Sequence, residues 1–276
     1  MSWERQINIK STHELEIMRS AGKINAEALA AAAALIRPGI TTADLNAAAE
    51  EVLRKHGVFS PFKNYPGPYP YPCSTTISVN EELVHGIPSA KRKLKQGDIV
   101  SVDCGTVYEG FVADSAFSAG VGEISPKAQK LLEVTEQALY AGIAAMKVGN
   151  TVGDVSAAIQ AAAEGQGFYL TREYTGHGVG RQMHEGPQLP NYGTAGRGMK
   201  LRAGMTIALE PMVLAGTDAT RVLDDQWTVI SSDRSLTAHF EHSVAVTLNG
   251  PLILTLLDNG RGPGQIGPGL AGKLDN

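Results

Sequence analysis

The sequence predicts an α+β fold of two similar halves, with an antiparallel sheet covered by helices. One observation is an internal repeat, in which a helix, a glycine turn and a second helix occur twice, 110 residues apart from Gly39 to Gly149. Another is that β-branched runs separated by turn glycines follow each helical pair. This pattern is typical of antiparallel strands. A repeat of this kind indicates two related units within one fold.

The two copies of the repeat agree at matched positions. Thr41 with Asp44 and Thr151 with Asp154 fit capping boxes at the start of each second helix. The matched residues are Gly39, Thr41, Asp44, Leu45, Ala48, Gly57 and Phe59 in the first copy and Gly149, Thr151, Asp154, Val155, Ala158, Gly167 and Tyr169 in the second. The alternative is chance similarity between two alanine-rich helical hairpins.

Capping signals also mark the first helix of each pair. Ser11 and Glu14 precede a long helical pattern, and Ser125 precedes a proline at the first helical position, Pro126. The strand-like runs are Thr75 to Val79, Asp98 to Cys104, Gly110 to Phe117, Met205 to Leu214, Gln226 to Ser231 and Glu241 to Leu248.

Two segments predict irregular structure. Ser60 to Pro72 holds five prolines and three tyrosines, which predicts a loop that forms a rigid pocket wall. Residues 258–276 hold six glycines and two prolines, which predicts a flexible tail. The remaining 1–257 is expected to form a single domain, with halves of about 1–124 and 125–257.

Composition limits the classes of partner. The net charge of −4 gives no support for nucleic-acid specificity or for binding to an anionic membrane. The longest apolar run, Ala28 to Ile36, is far shorter than the roughly 18 residues that span a bilayer. The N-terminus shows no export signal, so Cys73 and Cys104 are expected to be reduced and the protein cytoplasmic.

The first chemical motif is a pair of aspartates in strand-like sequence. A hairpin turning near 108–110 would bring Asp103 and Asp114 from neighbouring strands into one cavity. Carboxylates that close repel each other unless they are protonated or bridged by cations. If this segment stood alone, two unrelated strand-end aspartates would be the simpler interpretation.

Three further candidates lie in the second half. Glycines flank His177 and allow close approach to a ligand. Glu210 lies within an apolar strand-like run, where an unpaired carboxylate is costly, and Glu241 begins another run. A structural histidine and exposed glutamates are the alternatives.

Together these residues supply four carboxylates and one imidazole. That donor set suits Mn, Fe, Co or Zn in a dinuclear site, with the ions roughly 3.5–4 Å apart.

With these motifs in view, the chain resembles methionine aminopeptidase of type I over about residues 5–257. The matching segments are 80–88, the Asp103/Asp114 hairpin, 176–180, 183–185, 209–212 and 241–242. The resemblance implies the pita-bread (creatinase/aminopeptidase) fold with pseudo-twofold halves. It also implies removal of the initiator methionine when the second residue is small, by attack of a metal-activated water on the scissile amide.

The resemblance further implies a role for each metal-site residue. Asp103 chelates one ion, His177 and Glu210 bind the other, and Asp114 and Glu241 bridge them. The resemblance therefore implies two divalent ions per chain, each of them Co, Mn, Fe, Zn or Ni.

Catalytic and pocket residues are also implied. Glu210 shuttles the proton, His184 stabilises the oxyanion, and His85 contacts the substrate near the scissile bond. The methionine pocket is expected from Tyr71, Thr76, Met183 and Trp227. Thr76 stands where many relatives carry Cys, and Met183 where many carry Phe.

Several alternative functions can be distinguished from this one. Glu210 and Glu241 lie 31 residues apart (210 to 241), which leaves no room for the helical insertion of the type II branch. An aminopeptidase for Xaa-Pro peptides would share the ligands, and a binding protein on a retired version of the fold would normally have lost some of them. The expected partners are nascent polypeptide N-termini and, transiently, the ribosome, and the chain is expected to be a monomer.

Overall fold

Four helices form where the sequence places capping signals. In the computed structural model, which describes residues 7–262, they are α1 Thr12–Ala33, α2 Thr42–Lys55, α3 Pro126–Ala145 and α4 Val152–Glu164. Ser11, Thr41 and Thr151 each form a complete capping box. Ser125 caps α3, which has proline in its first turn. Each cap satisfies backbone N–H groups that would otherwise lack partners.

The strands follow the helical pairs. They are β1 Thr75–Val79, β2 Glu82–Val84, β3 Ile99–Tyr108, β4 Phe111–Gly120, β5 Tyr169–Leu170, β6 Gly176–Gly178, β7 Glu185–Leu189, β8 Thr206–Leu209, β9 Met212–Leu214, β10 Thr220–Val222, β11 Val229–Ser231, β12 Thr237–His239, β13 Glu241–Thr247 and β14 Gly250–Ile253.

One eight-stranded antiparallel sheet joins the two halves of the chain. Its order is β1-β3-β4-β13-β8-β6-β7, and β14 pairs with β13. The junction between the halves is the β4–β13 pair, where Glu241 lies opposite Ala116 and His242 opposite Ser115. Two three-stranded sheets, β10-β11-β2 and β12-β9-β5, complete the described strands.

Each half has its own hydrophobic core. Leu29 and Leu45 of α1 and α2 pack with Val102 of β3. Leu139 of α3 and Ile159 of α4 pack with strands of the second half. The helices therefore cover the sheet, as the alternation of helical pairs and strand runs predicts.

The internal repeat is confirmed in local structure. The turn glycines Gly39 and Gly149 have φ values of 91° and 95°, a left-handed conformation that glycine adopts without strain. Thr41 forms an isolated bridge with Lys93, and Thr151 forms the equivalent bridge with Lys200. The start of the second helix is therefore held by an equivalent bridge in both copies.

Two strand predictions are wrong in detail. The run Met205 to Leu214, predicted as one strand, divides into β8 and β9 at Glu210 and Pro211. Proline has no N–H to give to a ladder, and the two strands belong to different sheets. The run from Gln226 is also shorter than predicted, since Gln226 has φ 63° and lies in a turn before β11.

The irregular segment Ser60 to Pro72 is a loop, as predicted. No described helix is both long and apolar enough to cross a membrane. That residues 1–257 form a single domain stays a prediction. The predicted flexible tail is 258–276, and its residues from 263 onward lie outside the part that the structure describes.

Candidate metal centre

The predicted aspartate hairpin is present. In the β3–β4 pair, Asp103 lies opposite Ala116 and Gly105 opposite Asp114. Because alternate residues of a strand share a face, Asp103 and Asp114 are diagonal neighbours on one face of the sheet. Both are buried.

The second half brings its ligand candidates to the same place. Nε2 of His177, in β6, lies 3.5 Å from Oε1 of Glu210 and 3.9 Å from Oδ2 of Asp114. Glu241 begins β13, beside β4, and is 2% exposed. Ligand atoms of Asp114, His177 and Glu241 lie within 4.8 Å of one another. The five predicted side chains therefore converge.

Burial sets the protonation of this cluster. It raises the pKa of Asp103 to about 7 and raises the pKa of Asp114, Glu210 and Glu241 well above the usual range. Repulsion between neighbouring carboxylates adds to the pKa shifts of Asp114 and Glu241. Burial lowers the pKa of His177 to about 3, which keeps the imidazole neutral, as a metal ligand requires.

The cluster also has polar atoms that the protein does not satisfy. Among residues 7–262, no hydrogen-bond partner reaches Asp103 Oδ1, Asp114 Oδ1 or Glu241 Oε1. Buried acceptors without partners are costly, and divalent cations would satisfy them. The donor set of carboxylate oxygens and imidazole suits such cations, so the residues present fit a metal centre.

A cavity of about 270 Å³ opens onto the cluster, and every residue predicted for the site lines it. His85 directly follows β2 and has φ 61°, an uncommon conformation for a residue other than glycine, and its ring meets those of Tyr174 and Trp227 edge to face. His184 lies beside His177, with the ring centroids 4.3 Å apart. Burial lowers the pKa of His85 to about 4 and also lowers that of His184, so both rings are neutral at pH 7.

The residues predicted for the methionine pocket all line the cavity. The ring of Tyr71 meets that of Trp227 edge to face at 5.2 Å. The Tyr71 hydroxyl donates to the backbone oxygens of Thr75 and Gly86, which fixes its ring. Thr76 lies opposite Asp103 in the β1–β3 pair. Met183 lines the cavity from the segment that also carries His184.

A buried ion pair supports that segment. Nζ of Lys10 lies 2.5 Å from Oε2 of Glu185. Oε1 of Glu185 accepts hydrogen bonds from the backbone N–H groups of Arg181 and Gln182. Glu185 thus fixes the residues immediately before Met183.

Sequence reasoning missed several residues of the site. His239 is 2% exposed, and its Nε2 lies 3.6 Å from Oε2 of Glu210 and 3.8 Å from Oε2 of Glu241. Its position two residues before Glu241 was an available signal, since alternate residues of an extended segment share a face. His242, in the matched motif, instead packs against Tyr140 and meets Thr255 on the other side.

Aromatic and polar lining residues were missed as well. The Tyr65 hydroxyl lies 2.7 Å from Nδ1 of His184. The remaining lining residues outside the predicted set are Phe62, Val84, Glu173, Tyr174, Thr175, Gln188 and Met212. Phe62, Tyr65 and Tyr71 come from the loop Ser60 to Pro72, which supports its interpretation as a pocket wall.

The comparisons with known proteins agree with this geometry. The profile of metallopeptidase family M24 matches residues 16–248. A methionine aminopeptidase of Clostridium perfringens is 47% identical over 251 residues, which cover 91% of this chain and 99% of that protein.

Solved structures show the same relationship. The crystal structure of methionine aminopeptidase from Thermotoga maritima matches with a TM-score of 0.88 at 46% identity, covering 90% of this chain and 99% of that one. The prolidase of Pyrococcus furiosus, at 24% identity and a TM-score of 0.72 over 91% of this chain and 66% of that one, shares the fold. The chain therefore belongs to metallopeptidase family M24, the metal-dependent peptidases of the pita-bread fold.

Proposed function

We propose that the protein is a methionine aminopeptidase, which hydrolyses the peptide bond after an N-terminal methionine when the second residue is small. One observation carries the proposal: buried carboxylates and imidazoles converge at an apolar, aromatic cavity that can hold a thioether side chain. The relatives named methionine aminopeptidase support this choice of substrate.

The metal content follows from charge and donor type. Four carboxylates, Asp103, Asp114, Glu210 and Glu241, carry the same formal charge as two divalent cations, with opposite sign. Two ions per chain would therefore neutralise the cluster. Co, Mn, Fe, Zn and Ni all accept oxygen and imidazole donors, and the ions available to the protein decide among them.

The same residues divide the ligation between the two ions. Asp103 would hold one ion, His177 and Glu210 would hold the other, and Asp114 and Glu241 would serve both. When bound, the ions supply Lewis acidity, which lowers the pKa of a water molecule and polarises the scissile carbonyl.

Glu210 is the residue proposed to move the proton. Its side chain is 13% exposed to the cavity, whereas those of Asp114 and Glu241 are 3% and 2% exposed. A carboxylate at the cavity surface can take a proton from the attacking water and return it to the leaving amine.

His184 and His85 act on the substrate. A neutral His184 that accepts from the Tyr65 hydroxyl at Nδ1 carries its proton on Nε2 and can donate to the oxyanion. His85 lies between Tyr174 and Trp227, where it can contact the peptide near the scissile bond. Tyr71, Thr76, Met183 and Trp227 enclose the methionine side chain.

The partners follow from the reaction. N-termini of nascent polypeptides are the substrates, met in the cytoplasm and transiently at the ribosome by a monomeric enzyme. Cys73 and Cys104 are unpaired, which supports a reducing compartment. The net charge of −4 supports the absence of nucleic-acid specificity, and binding to a membrane is not expected.

Peptide hydrolysis tests the proposal. The purified protein, loaded in turn with each of the five metals, should cleave Met-Ala-Ser and leave Ala-Pro-Ala intact. Replacing the alanine after methionine by a bulky residue should slow cleavage. Faster cleavage of the proline peptide would contradict the proposed substrate. Glu210→Gln should reduce kcat by at least about a hundredfold, because general acid–base catalysis contributes that much.

A further inference from the structure

We propose that His239 is a second imidazole ligand of the metal centre, alongside His177, so that the two ions together have two imidazoles. The inference deepens the proposed function and rests on it for the presence of two ions. It concerns a residue that neither the motifs nor the implied ligand set contains.

The first argument is distance. Nε2 of His239 lies 3.6 Å from Oε2 of Glu210 and 3.8 Å from Oε2 of Glu241. These separations exceed those of N–H···O hydrogen bonds, which are about 2.7–3.2 Å. Two donor atoms that lie about 2.1 Å from one tetrahedral ion are about 3.4 Å apart. The three side chains are thus spaced as ligands of a common ion, and their donor atoms all lie within 4.8 Å of one another.

The second argument is the symmetry of Glu210. Its Oε1 lies 3.5 Å from Nε2 of His177, and its Oε2 lies 3.6 Å from Nε2 of His239. The carboxylate therefore stands between two imidazoles that face different oxygens. His177 belongs to a second cluster, with Asp114 and Glu241, so that Glu241 is common to both.

The third argument is burial without a partner. His239 is 2% exposed, and within residues 7–262 its Nε2 has no hydrogen-bond partner. A buried nitrogen that neither donates nor accepts is costly, and a metal ion removes that cost.

The fourth argument is that the backbone of His239 is fixed. Its N–H donates to Oγ of Ser118, which in turn donates to its carbonyl oxygen. Ser118 also pairs with Ser101 of the neighbouring strand β3. His239 is therefore anchored to the two strands that carry Asp103 and Asp114, as a positioned ligand would be.

X-ray absorption spectroscopy of the protein loaded with two equivalents of Co(II) tests the inference by counting imidazoles. We expect an average of one imidazole per ion in the unmodified protein and half that average in His239→Gln. His177→Gln is the matched control, since it removes the imidazole already proposed as a ligand, and it should reduce the average by the same amount. His184→Gln removes an imidazole of the same cavity and should leave the count unchanged. An average of half an imidazole per ion in the unmodified protein would overturn the proposal, and this measurement holds even if a variant fails to fold.

Calorimetric titration with Mn(II) gives a second measurement. His239→Gln should bind one of the two ions at least about tenfold more weakly, since even residues that only orient ligands change metal affinity by that amount. Unchanged affinity for both ions would contradict a ligand role. If the protein binds two ions with a total of one imidazole ligand and still cleaves Met-Ala-Ser, this inference is wrong but the proposed function stands. A protein that binds no ion refutes the proposed function as well.

Discussion

The Tyr65 hydroxyl lies 2.7 Å from Nδ1 of His184, across 119 residues of sequence, with the two rings edge to face at 5.5 Å. Burial raises the pKa of Tyr65, so the phenol stays protonated and can donate. When the phenol donates to Nδ1, a neutral His184 carries its proton on Nε2. Tyr65 is a positioning residue for the group proposed to stabilise the oxyanion.

Replacing Tyr65 by phenylalanine should lower kcat roughly fivefold, with a smaller effect on KM. Loss of one hydrogen bond costs about 1 kcal/mol, which corresponds to that factor in rate. Steady-state kinetics with Met-Ala-Ser at saturating metal measures it. Tyr69→Phe is the matched control, because the Tyr69 hydroxyl donates to the backbone oxygen of Asp225 outside the cavity lining. Equal kinetics for the two variants would argue against the positioning role.

Lys10→Met should destabilise the protein by about 3–5 kcal/mol, because it leaves Glu185 as an uncompensated buried charge. Denaturant unfolding of the metal-free protein measures the change. The control is Lys63→Met, which removes an ion pair with Glu50 in which both side chains are more than 40% exposed. That pair should contribute less than about 1 kcal/mol. Similar losses in the two variants would show that Glu185 does not depend on Lys10.

Local chemistry made much of the fold predictable. Capping boxes at Thr41 and Thr151 depend on residues three positions apart, so the sequence shows them directly. The Asp103/Asp114 hairpin needed only alternation and a turn. In contrast, the short strand Gly176–Gly178 has no β-branched residue, and its pairing with β7 and β8 gives it its conformation.

The site was harder to derive, because its residues meet through tertiary contacts. Convergence of His177 with the aspartates depends on the β4–β13 junction, which local pattern does not determine. The residue types alone indicated a shared metal site, and the family resemblance added the role of each ligand. The resemblance did not identify Tyr65, which lies in a proline-rich loop, or His239, which belongs to none of the matched motifs.

Gly67→Ala should weaken substrate binding. A Cβ at Gly67 would lie 2.5 Å from two ring carbons of Trp227, closer than side chains tolerate. The indole must then shift, and it is the ring that contacts Tyr71 and His85 in the cavity wall. KM for methionyl peptides should rise severalfold, while the melting temperature changes little, since Gly67 is exposed. Combining Gly67→Ala with Trp227→Phe, which has a smaller ring, should recover part of the loss. An unchanged KM in the single variant would place Trp227 outside the methionine pocket.

The metal-free protein should become less stable as pH rises above about 6.5. Burial holds the pKa of Asp103 at about 7, and those of Asp114, Glu210 and Glu241 well above their usual range. The folded state therefore keeps protons that the unfolded chain has already lost near pH 4, so its stability falls as pH rises from there to the folded pKa values and levels off once the folded groups ionise. Buried histidines change the stability in the opposite direction, because burial lowers the pKa of His177 to about 3 and that of His242 to about 4. This effect ends near pH 6.5, where histidine in the unfolded chain has lost its proton. Above that pH only the carboxyl groups make the stability depend on pH.

Bound divalent ions require the ionised carboxylates and should abolish the decline, and should stabilise the protein more at pH 8 than at pH 6. Urea unfolding at both pH values, with a chelator and with saturating Mn(II), measures the difference. If chelated protein were equally stable at pH 6 and pH 8, the carboxyl groups of the cluster would not be held protonated by burial.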